Sequence, residues 1–161
     1  MFIGTHMAAP VFAAGSFNLI RAGIGKERLF SNREMMYIGL CGGLPDILSP
    51  HIRLAARMSS FTHTLWFVVA AFVFLGIICL VFPDRLRLRC ALMCGTAIAL
   101  HLWADAVSGG IALFFPLDTV RIGHYYIPPV MWLPLDVATV SLTLAVLFFS
   151  SRMETRINRT D

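Results

Sequence analysis

Charge is what this sequence has least of. Only 14% of its 161 residues are Asp, Glu, Lys or Arg, whereas 58% are hydrophobic, well above the roughly 45–50% of ordinary soluble domains. Too few polar groups remain to clothe a surface in water, so the composition points to a polytopic membrane protein of one domain's length. Several chemical signatures are missing as well. Without a Gly-x-Ser-x-Gly elbow, a phosphate-binding loop or a dinucleotide fingerprint, serine-hydrolase and nucleotide-dependent chemistry lose their sequence support. There is no Cys-x-x-Cys; Cys41, Cys79, Cys90 and Cys94 lie in or beside apolar stretches and read as small buried side chains rather than a thiolate site. No aromatic platform for stacked bases is visible, and the net charge of +4 follows membrane topology, so direct nucleic-acid binding is not expected. Repeats and low-complexity tracts are absent. Residues 1–20 lack the basic start of a secretory signal and are read as retained.

What is present is a series of apolar segments, which predicts an all-α, polytopic membrane bundle of about five helices forming a single domain over residues 1–161. The segments run from about His6 to Ile20, Glu34 to Leu48, Leu65 to Phe82, Cys90 to Gly109 and Val130 to Phe149. The third, eighteen residues without a charge, is the plainest transmembrane candidate. Thr5 is placed to cap the first segment. Gly42-Gly43-Leu44-Pro45 should end or kink the second, leaving Asp46 at its mouth. Gly109-Gly110 should stop the fourth, and Pro134 and Asp136 interrupt the last. The connection from Ile111 to Pro129 carries Tyr125-Tyr126, a pair suited to a membrane interface. Ten of the thirteen Lys and Arg residues fall in Arg21–Arg33, Pro83–Arg89 and a basic tail from about residue 150. Alternating helices put those segments on one side, and the positive excess assigns that side to the cytoplasm. The N-terminus then faces outward and the C-terminus inward, in what would be a bacterial inner membrane.

Within this apolar background, His101-Leu-Trp-Ala-Asp105 places an imidazole and a carboxylate on one helix face. Ionisable side chains in such a segment are costly and mark function. The topology puts His6, Asp46 and His63 at the outer ends of the first three helices. His101 falls about 16 Å from the cytoplasmic edge and Asp105 about 6 Å beyond it; Asp136 also lies in the outer half. None of these six is on the basic side. Two or more imidazoles with two carboxylates suit Zn²⁺, Mn²⁺ or Fe²⁺. A divalent ion would offset carboxylate desolvation and lower the pKa of a coordinated water towards 7, the chemistry needed to attack an ester or phosphoester. Plainer roles are open to each residue alone: His6 at an interface, Asp46 in a turn, Thr62-His63 as a capping pair, and His101 with Asp105 as a stiffening hydrogen bond. Asp136 could satisfy backbone freed by Pro134, and His51 and His124 could be solvated side chains of connections. Their convergence on one side favours the metal.

The motifs Gly4-Thr5-His6, Gly43-Leu44-Pro45-Asp46, Thr62-His63-Thr64 and His101-x-x-x-Asp105, in this order, resemble those of the YdjM-like inner-membrane metal-dependent hydrolases, described as LexA-regulated or LexA-binding. The order is also similar to that of the zinc-dependent phospholipase C family. The resemblance runs from His6 to about Asp136. It implies metal ligands at His6, Asp46, His63, His101 and Asp105, with Asp136 at the place of a late family aspartate. Where the family has a second Asp soon after Leu-Pro-Asp, this chain has Ile47-Leu48-Ser49; where it has His-Arg ahead of the Thr-His pair, this chain has Met58-Ser59, with Arg57 one place earlier. His51 could stand in for a missing ligand. The implied activity is metal-dependent hydrolysis of an ester or phosphoester near the outer leaflet, on a membrane lipid or lipid-linked substrate. Zn²⁺ is expected before Mn²⁺ or Fe²⁺, with Asp46, His51 or Asp136 relaying a proton and Arg53 or Arg57 available to a phosphate. The alternative is a non-enzymatic membrane protein whose helices are joined by a structural metal or polar network. A metal or proton conduit ranks last, because polar residues do not continue into the cytoplasmic half.

Overall fold

A computed structural model describes residues 3–50, 54–84 and 86–157. These form five α-helices: α1 (Ile3–Gly23), α2 (Asn32–Leu48), α3 (Leu65–Val81), α4 (Leu88–Val107) and α5 (Trp132–Ile157). Short 3₁₀ turns cover Leu54–Ser59, Phe61–His63 and Pro129–Met131. The fold is all-α as expected; the only sheet-like pairings among the described residues are isolated bridges, Ser108 with Tyr125 and Ile111 with Ile122.

Local chemistry sets the helix ends. Ser31 and Glu34 make a capping box at the start of α2: the Ser31 hydroxyl accepts from the Glu34 N–H at 3.3 Å, and the Glu34 carboxylate accepts from the Ser31 N–H at 2.7 Å. The Thr64 hydroxyl accepts from the Phe67 N–H to begin α3. Gly109 and Gly110, both at positive φ, stop α4 as expected.

Four expectations are revised. Thr5 lies inside α1 rather than capping it; the cap comes from another helix, as described below. α2 runs through Pro45 to Leu48, held from outside by the Thr62 hydroxyl, which donates to the Pro45 carbonyl at 2.9 Å. Pro134 does not interrupt α5, because it sits in the first turn, where backbone N–H groups have no partner within the helix. α5 also continues past the expected end at Phe149 to Ile157, so the described part of the basic tail is helical.

Helices α1, α2 and α4 pack on one another, with α5 laid on the far side of α1 and α3 on the far side of α4. α4 is accordingly the half-buried centre and α5 almost wholly peripheral. One core group (Ala14, Phe30, Ile38, Cys90, Cys94 and Ala97) fills the end near the α1–α2 and α3–α4 connections, so the four thiols, all free, are core or half-buried side chains. A second group, Val68, Ile98, Leu102 and Ile111, leads towards the opposite end. Outside, large apolar side chains such as Phe17, Phe74, Leu80, Leu133 and Leu144 are exposed, over far more surface than a soluble monomer tolerates. The solvent that suits this exterior is lipid. At about 1.5 Å per residue, α4 reaches about 30 Å, the thickness of a bilayer's hydrocarbon core.

The ends of the bundle differ in chemistry. At one, the Asn18 amide donates to the Phe30 carbonyl and accepts from the N–H groups of Leu29 and Phe30, and Arg89 pairs with Glu34 at 3.6 Å. The basic connections lie here. The ligand-type residues gather at the other end.

Candidate metal centre

Small residues bring three backbones together at that end. A Cβ on Gly42 would overlap the His6 carbonyl oxygen, and one on Gly43 would strike Met7, so these glycines let α1 and α2 touch. The Gly42 carbonyl also accepts a hydrogen bond from His101 Nδ1 at 2.8 Å. One close crossing therefore fixes His6 on α1, Gly42 on α2 and His101 on α4. The His6 and His101 rings stack at 3.9 Å.

Asp105 is the hub. Its side chain is fully buried, and its Oδ2 lies 3.3 Å from His63 Nε2 and 3.4 Å from His101 Nε2. Its Oδ1 lies 3.3 Å from His6 Nε2 and 2.9 Å from Arg57 Nη1. Asp46 Oδ1 adds contacts of 3.2 Å to His63 Nε2 and 3.7 Å to His101 Nε2, while the two Nε2 atoms stand 3.3 Å apart. Asp46, His63, His101 and Asp105 thus each offer one donor atom, all within 4.8 Å of one another. The Asp46 side chain is 23% exposed; the other three are buried, so the centre opens at Asp46.

The hydrogen-bond pattern says what the imidazoles present. His101 Nδ1 must be the protonated nitrogen, because it faces a carbonyl. The Thr62 hydroxyl spends its hydrogen on Pro45 and so accepts from His63 Nδ1, 3.1 Å away. Both rings therefore aim an Nε2 lone pair at carboxylate oxygens, an arrangement that is repulsive unless a cation lies between them. In a tetrahedral site with bonds of about 2.0–2.1 Å, neighbouring donors stand about 3.3 Å apart, close to the 3.2–3.7 Å of the pairs just described. The residues fit a divalent ion. For His63, in the connection between α2 and α3, burial would lower the pKa, but the Asp105 and Asp46 carboxylates outweigh it and hold the pKa above the usual imidazole value.

The chain matches the YdjM inner membrane protein family over residues 1–157. It belongs to that family. With two helices long and apolar enough to cross a bilayer, the protein is a membrane protein. No curated protein and no solved structure matches it.

In this YdjM-family chain, all five residues expected as ligands meet: four form the compact set, and His6 stands over the His101 ring on the other oxygen of Asp105. Asp136 is engaged elsewhere. Its carboxylate accepts from the Thr5 N–H at 3.2 Å and from the Thr5 hydroxyl. It therefore caps α1 from α5 and steadies the turn that carries His6. His51 and Arg53 lie outside the described residues. His124 is exposed on the α4–α5 connection, edge-on to Tyr126. The residue that sequence reasoning undervalued is Arg57. Set in a polar connection, it stands in the sequence only as one of two arginines available to a phosphate, yet it is 5% exposed and bonded to the hub. The one signal was its position just ahead of the Thr-His pair.

Proposed function

We propose that this YdjM-family protein is a membrane-embedded, metal-dependent hydrolase acting on an ester or phosphoester near the membrane surface. The observation that carries the proposal is the convergence of two proton-fixed imidazoles and two carboxylates on a point that, among the described residues, opens at Asp46. His63, His101, Asp105 and Asp46 would hold the ion, with Zn²⁺ preferred for a nitrogen and oxygen donor set of this size. When bound, a divalent ion acidifies water and polarises an ester or phosphoryl oxygen. The protein's own part is to orient both imidazoles through Gly42 and Thr62 and to bury His63, His101 and Asp105 away from bulk water. It also offers Asp46, the exposed carboxylate, for proton transfer. His6, whose Nε2 lies 3.3 Å from Asp105 Oδ1 and whose ring nitrogens have no hydrogen-bond partner among the described residues, would stand beside the ion as a further ligand or proton carrier.

A lipid or lipid-linked substrate is supported by a groove of about 760 Å³ between α1, α2 and α5. Its lining includes Met7, Val11, Met35, Leu147 and Phe148. It is separate from the metal centre but begins at Gly4, two residues from His6, and is apolar enough for an acyl chain. We further propose five passes in the inner membrane, with the basic end and C-terminus cytoplasmic and the metal centre at the outer leaflet. The test is elemental analysis of purified protein beside His101→Ala, followed by lipid turnover assays on the metal-loaded form. Bound metal lost in His101→Ala, together with turnover lost in Asp46→Asn, supports the hydrolase. Bound metal that stabilises the fold, with no turnover of any ester or phosphoester lipid, leaves the structural-metal alternative standing instead.

A further inference from the structure

We infer that Arg57 is a phosphoryl-recognising residue, and that the substrate of the proposed metal centre is a phosphoester rather than a carboxylic ester. This deepens the proposed function and rests on it. Arg57 reaches the centre from the 3₁₀ turn Leu54–Ser59 and is buried. A guanidinium carries five N–H donors and stays charged under all physiological conditions. Nη1 pairs with Asp105 Oδ1 at 2.9 Å, while Nε has no hydrogen-bond partner among the described residues. A buried donor left in that state calls for an acceptor that arrives with the ligand.

Charge points the same way. Among the described residues of the centre, two carboxylates face one guanidinium and, when loaded, a divalent ion, with His63 and His101 neutral at their donor nitrogens. While the bound water is still neutral, one positive charge is left over. A carboxylic ester is neutral and cannot balance it, whereas a phosphodiester brings one negative charge and paired oxygens that match the guanidinium fork. The same phosphoryl chemistry belongs to a lipid headgroup and to a soluble phosphoester. Arg57 recognises either.

The experiment uses full-length protein in detergent, stripped with chelator and reloaded with Zn²⁺. Wild type, Arg57→Gln and Arg57→Lys are compared for metal content and for inorganic phosphate binding by calorimetry. Metal retained in Arg57→Gln, with phosphate affinity about ten- to a hundredfold weaker and partly restored in Arg57→Lys, is the expected result. Equal phosphate affinity in wild type and Arg57→Gln overturns the inference, as does a loaded wild type that binds no phosphate. If Arg57→Gln does not fold, Arg57→Lys decides: geometry lost with charge kept must still weaken phosphate at least several-fold. A wild type that takes up no Zn²⁺ defeats the proposed function instead, and phosphate binding on that sample still judges Arg57. Displacement of phosphate by a short-chain phosphatidic acid alone assigns the anion to a lipid; displacement by glycerol phosphate as well assigns it to phosphoesters in general, and both support the role of Arg57.

Discussion

Replacing Asp105 with Asn tests whether one carboxylate holds this end of the bundle together. The change keeps the volume and removes the charge. In the metal-free protein it leaves the Arg57 guanidinium, 2.9 Å away, without its counterion in a site from which water is excluded. Removing one partner of a buried ion pair costs about 3–5 kcal/mol. The loss should therefore fall in that range. It can be read from SDS-induced unfolding in mixed micelles, followed by circular dichroism on chelator-treated protein. Arg57→Met in the same background should recover about 2 kcal/mol, since neighbouring members of one network couple by about 0.5–3 kcal/mol. Asp105→Asn within about 1 kcal/mol of wild type, or a strictly additive double variant, would refute the picture of Asp105 as a shared hub.

Further outcomes are expected. Gly42→Ala forces a methyl group into the His6 backbone, so α1 and α2 must separate; a loss of about 1–3 kcal/mol should appear in the same unfolding assay, with weaker Zn²⁺ retention on dialysis. Asp136→Ala strips the cap from α1 and leaves the Thr5 N–H and hydroxyl unpaired, at about 1–3 kcal/mol; exchange of the first-turn amides of α1 with deuterium should accelerate while that of α4 does not. Adding Zn²⁺ to stripped protein should raise the unfolding midpoint, by about 2.7 kcal/mol at a hundredfold excess over the dissociation constant. The pH dependence has two signs. Because the folded His63 pKa lies above its unfolded value, its proton stabilises the metal-free fold at low pH, and that contribution fades as pH rises through the raised pKa. Zn²⁺ affinity should move oppositely, strengthening with pH as the ion displaces that proton, which isothermal titration in two buffers of different ionisation enthalpy would reveal.

Much of the site could be read from the chain because each member is conspicuous where it stands. An imidazole and a carboxylate one helical turn apart in an apolar segment have nowhere to go but inward, and His101 and Asp105 are both buried and 3.4 Å apart. The alternation of helices then carried His6, Asp46 and His63 to the same end. What escaped was tertiary in origin. Arg57 belongs to a short polar connection whose composition reads as solvated, and only the fold turns it under. Pro45 carries a breaker's signature, but the Thr62 hydroxyl supports the helix through it. Asp136 looked like a member of the centre, and its partner proved to be Thr5, across a helix interface that no local pattern encodes.

The clasp between Thr5 and Asp136 spans 131 positions of sequence. The first of the five described helices is thus secured by the last of them, and the turn that carries His6 is fully tied down only once both are seated. Asp46, His63, His101 and Asp105 all precede α5, so the compact set can form before that moment and only the His6 turn waits on the clasp. A fragment truncated before α5 should therefore keep those four residues together while the first turn of α1 frays.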